Sequence, residues 1–136
     1  MSNYLPVIEV ANPASTSVVA GSVIPLTTAI HGNSNVLTSN GTGVTISNLG
    51  GYYKVDAKIT FTVPTAGDVT FSILKDGVAI ATATVTAATA TTYTVTIPAI
   101  FLAKCCTLPN NIAISTDLAI TSLDTTLDVH YLSVRG

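Results

Sequence analysis

Few residues in this chain have the types and spacing that chemistry demands. His31 and His130 are its two histidines, and a hydrolase would need one of them to act as a base beside a nucleophile while being oriented by a third group. His31 stands in the Gly/Asn stretch HGNSN, and His130 in the middle of the run TTLDVHYL. Ser and Thr are plentiful, but none occupies a G-x-S-x-G elbow. A Cys–His pair would require the fold to carry Cys105 or Cys106 to a histidine. Those cysteines are adjacent, and a disulfide between neighbours closes a strained ring. Free thiols are therefore expected, acting as small buried hydrophobes and folding in a reducing compartment. Two cysteines without a histidine at ligand spacing make no tetrahedral zinc site.

The carboxylates Asp56, Asp68, Asp76, Asp117, Asp124 and Asp128 are dispersed. Asp124 and Asp128, in TSLDTTLD, are the candidates for a calcium site. Calcium takes about six to eight oxygen ligands, and this spacing matches no calcium loop. NGTGVT lacks the lysine and following helix of a phosphate loop. The residues thus predict no catalytic site, no metal and no cofactor.

The elements that would carry these residues read as strands. In GYYKVDAKITFTV (51–63), Tyr53, Val55, Ala57, Ile59, Phe61 and Val63 fall on one face, and Tyr52, Lys54, Asp56, Lys58, Thr60 and Thr62 on the other. That is the period of a half-buried β-strand. Asp76-Gly77, between two alternating runs, predicts a type I′ hairpin that pairs a strand of Val69, Phe71 and Ile73 with one containing Val78 and Ile80. Tyr93, Val95 and Ile97 share a face, with Pro98 marking a bend or an edge. VVAGSVIPL (18–26) predicts a strand interrupted at Gly21 and Pro25, and a short strand follows near 36–38. No apolar set recurs at helical spacing. About eight to ten strands without crossover helices predict an antiparallel sandwich or jelly roll. An immunoglobulin-type sandwich finds no Trp and no spaced cysteine pair to support it.

Length and composition agree. The 136 residues suit one domain. Charged residues make up 9% against roughly 25% in an average domain, with Thr-rich runs such as 82–96 in their place. Lys54, Lys58, Lys75, Lys104 and Arg135 are too scattered to form the positive stripe that nucleic acid needs. No apolar run reaches membrane-spanning length, and MSNYLPVIEVANP does not read as a secretory signal. Residues 1–18, rich in Pro, Ser and Asn, predict an extended N-terminal arm, and 19–136 the folded domain.

Taken in order, VVAGSVIPL, GYYKVDAKITF, the KDG hairpin, LPNNIAI (108–114) and TTLDVHYLSVRG (125–136) resemble the tumour-necrosis-factor-like jelly roll, the fold of complement-type globular heads. The similarity is to its bacterial and phage branch, which includes the heads of collagen-like spore-surface glycoproteins. It extends over 18–136. One departure is PNN at 109–111, where members often carry Gly-Asp. The resemblance implies a two-sheet jelly roll assembled as a homotrimer. Leu132 and Val134 alternate with Leu127, Val129 and Tyr131, so the last strand is apolar on both faces, as expected of a strand covered by its own core on one side and a symmetry mate on the other. Tyr52, His130 and Leu132 are the candidate trimer-interface residues.

The expected function is that of a non-enzymatic structural or adhesive protein: a bacteriophage virion component such as a capsid decoration protein, head fibre or receptor-binding tip. It would be made in the host cytoplasm and displayed on the virion surface. Its partners would be itself, a capsid or fibre protein held through the N-terminal arm, and a host surface glycan. The alternatives are a soluble carbohydrate-binding module and a bacterial cell- or spore-surface adhesion domain.

Overall fold

A computed structural model describes residues 6–32, 36–47, 50–103 and 110–133. Among these residues there are eleven strands: β1 (Val7–Asn12), β2 (Thr16–Val18), β3 (Thr28–Gly32), β4 (Leu37–Ser39), β5 (Gly43–Ile46), β6 (Gly51–Thr62), β7 (Gly67–Lys75), β8 (Val78–Ala87), β9 (Tyr93–Ala103), β10 (Asn110–Thr116) and β11 (Ile120–Ser133). They form two antiparallel sheets. The first runs β3-β1-β11-β6-β9, with β2 also pairing to β11, and the second runs β4-β5-β10-β7-β8. From β6 onward the chain passes repeatedly between the sheets, and the long central strands β6 and β11 pair through most of their length. The fold is an all-β jelly-roll sandwich.

Alternation decides which side chains fill it. Tyr53, Val55, Ala57, Ile59 and Phe61 on β6 are fully buried, as are Val69, Phe71 and Ile73 on β7 and Leu127 and Val129 on β11. Each such side chain contributes about 1.5–3 kcal/mol if it is large, and less if it is Ala. Phe61 meets Phe71 edge-on at 4.8 Å across the two sheets and stacks on Tyr93 at 5.8 Å. At the other end of β6, Tyr53 stacks on Phe101 at 5.8 Å and meets Tyr131 edge-on at 5.3 Å. Burial first, and then Tyr131, pushes the Tyr53 hydroxyl up to about 12.

The hairpin forms as its sequence predicts. Asp76 and Gly77 both adopt positive φ, 52° and 84°, the requirement of a type I′ turn. Pro98 lies within β9 at an open sheet edge, where a missing N–H leaves no ladder bond unmade.

Two expectations are corrected. Residues 7–18 are not an arm: β1 lies between β3 and β11 in the first sheet, and β2 pairs with the start of β11. Ile8 and Val10 alternate into the core, where they are 3% and 0% exposed. This burial outweighs the loop-like composition of the surrounding residues. Just before β1, the Pro6 carbonyl accepts the Tyr131 N–H at 2.9 Å. The stretch 18–26, in turn, is not a strand beyond Val18. Val23 makes an isolated bridge to Ser115, while Gly21 turns the chain at φ 78° and Ile24 and Leu26 plug the core from irregular backbone.

Candidate functional surface

Among the described residues, those singled out for chemistry are not brought together. His130 lies on the outward face of β11, directly opposite Val7 on one side and Lys54 on the other. Neither neighbour offers the hydroxyl or thiol that a histidine base would activate. His31 belongs to β3, and its backbone pairs with Glu9. Asp124 and Asp128 stand four residues apart on one strand, about 13 Å at strand rise, too far to share an ion. Among the described residues no group of three or more His, Cys, Asp or Glu is placed to hold a metal ion. Cys105 and Cys106 lie outside the described residues, as does Val134. Among the described residues no helix is long and apolar enough to cross a membrane.

The interface candidates, by contrast, share one surface. Tyr52, His130 and Leu132 all face outward from the first sheet, on the adjacent strands β6 and β11. Tyr52 is directly opposite Leu102 on β9, and Lys54 is opposite Ile100. Leu132, Leu102 and Ile100 are 44%, 48% and 63% exposed. With Tyr52 they make an apolar cluster across three strands at one end of this face. Toward the other end the face turns polar: Lys54 is bonded to Asp56 at 2.7 Å, and Thr60 to Thr94 at 3.0 Å. The expectation that β11 is apolar on both faces is corrected: its inner face is, from Leu127 to Tyr131, but Asp128 and His130 interrupt its outer side.

Ile100 and Leu102 are contributions that the spacing rule alone missed. Their signal was available, because β9 alternates Phe101 and Ala103 inward with Ile100 and Leu102 outward. A second feature adjoins them. Residues 78–103 contain no Asp, Glu, Lys, Arg or His, and they build β8 and β9, the edge strands of the two sheets on the same side of the sandwich. Ala83, Val85, Val95 and Ala99 point into this seam yet remain only partly buried. Long uncharged edge strands are templates for association unless something covers them.

Sequence comparison finds no match: no family model fits the chain, and no curated protein is significantly similar to it. Structure comparison does. Murine APRIL, solved at pH 8.0, superposes with a TM-score of 0.71 at 15% identity, covering 95% of this chain and all of that one. The chain has the TNF-like jelly-roll fold. A solved chain of the PRD1 vertex protein P5 matches with a TM-score of 0.67 at 12% identity, over 97% of this chain and all of that one. The globular domain of zebrafish complement 1qA matches with a TM-score of 0.65 at 6% identity, over 94% of this chain and 98% of that domain.

Proposed function

We propose that this TNF-like chain is a non-enzymatic structural or adhesive head domain that works as a homotrimer on a virion surface, as a capsid decoration protein, head fibre or receptor-binding tip. The observation that carries the reading is the apolar cluster of exposed Ile100, Leu102 and Leu132 with half-buried Tyr52 on the outward face of the first sheet. Contiguous apolar surface of this kind marks an association site. Its occupant is a second copy. The uncharged β8–β9 seam adjoins the cluster through β9, so one copy supplies a seam and the next a sheet face. A heterologous contact of this kind closes into a trimeric ring when it repeats with a three-fold rotation. The fold shared with a phage vertex protein supports the virion setting.

Equilibrium sedimentation of the purified chain at micromolar concentration tests this directly. A trimer is expected, and Leu132→Asp combined with Leu102→Asp should shift it to monomer while the far-ultraviolet strand signal is retained. A wild-type monomer at that concentration would refute the assembly. Recovery of the chain in fixed stoichiometry with purified particles would support the virion role, and its absence from them would refute it. Attachment through an N-terminal arm is now confined to residues before Pro6, because β1 and β2 belong to the sheet.

A further inference from the structure

The second sheet carries a different surface on its outward face. Three cross-strand rows run over it. The middle row is apolar, with Leu74 standing among small residues: Gly43, Ala113, Leu74 and Ala79 are directly opposite one another across β5, β10, β7 and β8. It is about 14 Å long at ordinary strand spacing. On one side lies a row of hydroxyls, Ser115, Ser72 and Thr82. On the other, Thr45 is opposite Asn111, and the tip of the β7–β8 hairpin closes the row.

That last row is held rigidly for a surface feature. Asp76 N–H donates to the Asn111 carbonyl at 2.8 Å, and Asn111 N–H donates to Asp76 Oδ1 at 2.8 Å. Thr45 Oγ1 donates to Asn111 Oδ1 at 2.8 Å and accepts from Asn40 Nδ2 at 2.9 Å. With Oδ1 so engaged, Asn111 presents its Nδ2 amide as a donor. Beside it, Asp76 presents Oδ2 as an acceptor, with Lys75 3.6 Å away. Exposed hydrogen bonds add little to stability, but a relay linking three distant segments fixes one donor and one acceptor side by side.

We infer that this face is a binding site for a neutral oligosaccharide. A pyranose ring has an apolar C–H face and a rim of hydroxyls that both donate and accept. The row of Ala113, Leu74 and Ala79 fits the first, and the flanking hydroxyl rows fit the second. The Asn111 amide and the Asp76 carboxylate match two adjacent sugar hydroxyls. Fixing those groups before binding lowers the ordering cost, and the Asp76 carboxylate, 3.6 Å from the one ammonium beside it on Lys75, leaves no net positive charge to hold phosphorylated or sulfated ligands. The site lies on the sheet opposite the proposed trimer face and does not depend on assembly.

The test is binding of the full chain to an array of neutral oligosaccharides, followed by titration of the best ligand with amide-resolved NMR. Asp76→Asn keeps both the Oδ1 acceptor and tolerance of positive φ, so it should leave thermal stability unchanged while weakening binding tenfold or more. Leu74→Lys, which raises a long charged chain from the middle row, should abolish binding. Shifts centred on the Asn111 and Ala113 amides are expected. Absence of any neutral ligand at millimolar concentration, undiminished binding by both variants, or shifts confined to the first sheet would each overturn the site. A monomer that binds sugar would refute the trimer alone, and a trimer that binds none would refute this site alone.

Discussion

At the scale of the residue, burial of a polar group has a measurable consequence. The Tyr53 hydroxyl sits in the core with its acid dissociation pushed up to about 12, whereas in the unfolded chain it ionises near the ordinary value of about 10. Between those values the unfolded state has lost the proton and the folded state has kept it, so stability falls as pH rises. Its contribution is intact below about pH 10 and is lost on approaching about pH 12. Urea unfolding across that range should show the decline, and Tyr53→Phe should reduce it; a profile identical to wild type in that variant would assign the decline elsewhere. Phenolate absorbance should show a step near 12 that disappears in Tyr53→Phe. The residue's inward position was readable from its place in GYYKVDAKITFTV, because strand alternation is strict. Its contacts with Phe101 and Tyr131 were not, since the three lie on different strands whose register no local pattern states.

At the scale of the element, two features distinguish strands that are interchangeable in composition. Gly43 is required for close approach: a Cβ there would fall within contact of the Ile112 carbonyl of β10. Gly43→Ala should therefore push β5 off β10 and destabilise the protein by about 1–3 kcal/mol, measured by chemical unfolding, whereas Gly41→Ala meets no atom but strains a φ of 88°. Equal and negligible effects from both would contradict this account of the β5–β10 contact. The N-terminal segment gives the second case. Because β1 fills the first sheet between β3 and β11, deletion through Asn12 should expose Leu127 and Val129 and abolish cooperative folding, read by thermal unfolding. Removal of residues 1–5 leaves every described strand in place and should preserve the transition. In sequence, LPVIEV looked like a short apolar run in a polar arm because its partners on β11 lie more than a hundred residues away and those on β3 are joined to it by no tight turn.

At the scale of the whole molecule, the two outward faces differ in kind. The first sheet ends in an apolar cluster bordered by an uncharged seam, which suits another protein surface; the second offers a flat strip flanked by fixed hydroxyls and amides, which suits a small polar ligand. Assembly through the first would leave the second displayed to solvent on every copy, and a trimer would then bind a clustered glycan with an avidity beyond that of one site. Surface-immobilised ligand should accordingly hold the wild-type chain at least tenfold more tightly than it holds the Leu132→Asp/Leu102→Asp variant, with equal affinities for the free monovalent sugar. Equal retention of both forms would separate the two surfaces functionally.

The sequence by itself determined the strand class, the faces of β6 and β11 and the Asp76-Gly77 hairpin, because each depends on residues adjacent in the chain and on the two-residue period of extended backbone. It also brought Tyr52, His130 and Leu132 forward as outward-facing positions. Only the tertiary structure decided that residues 7–18 complete a sheet, that Ile100 and Leu102 join Tyr52 and Leu132, and that Thr45, Asp76 and Asn111 converge. Those outcomes turn on which strands lie side by side and in what register, and that is set by the packing of the shared core rather than by any local run of residues.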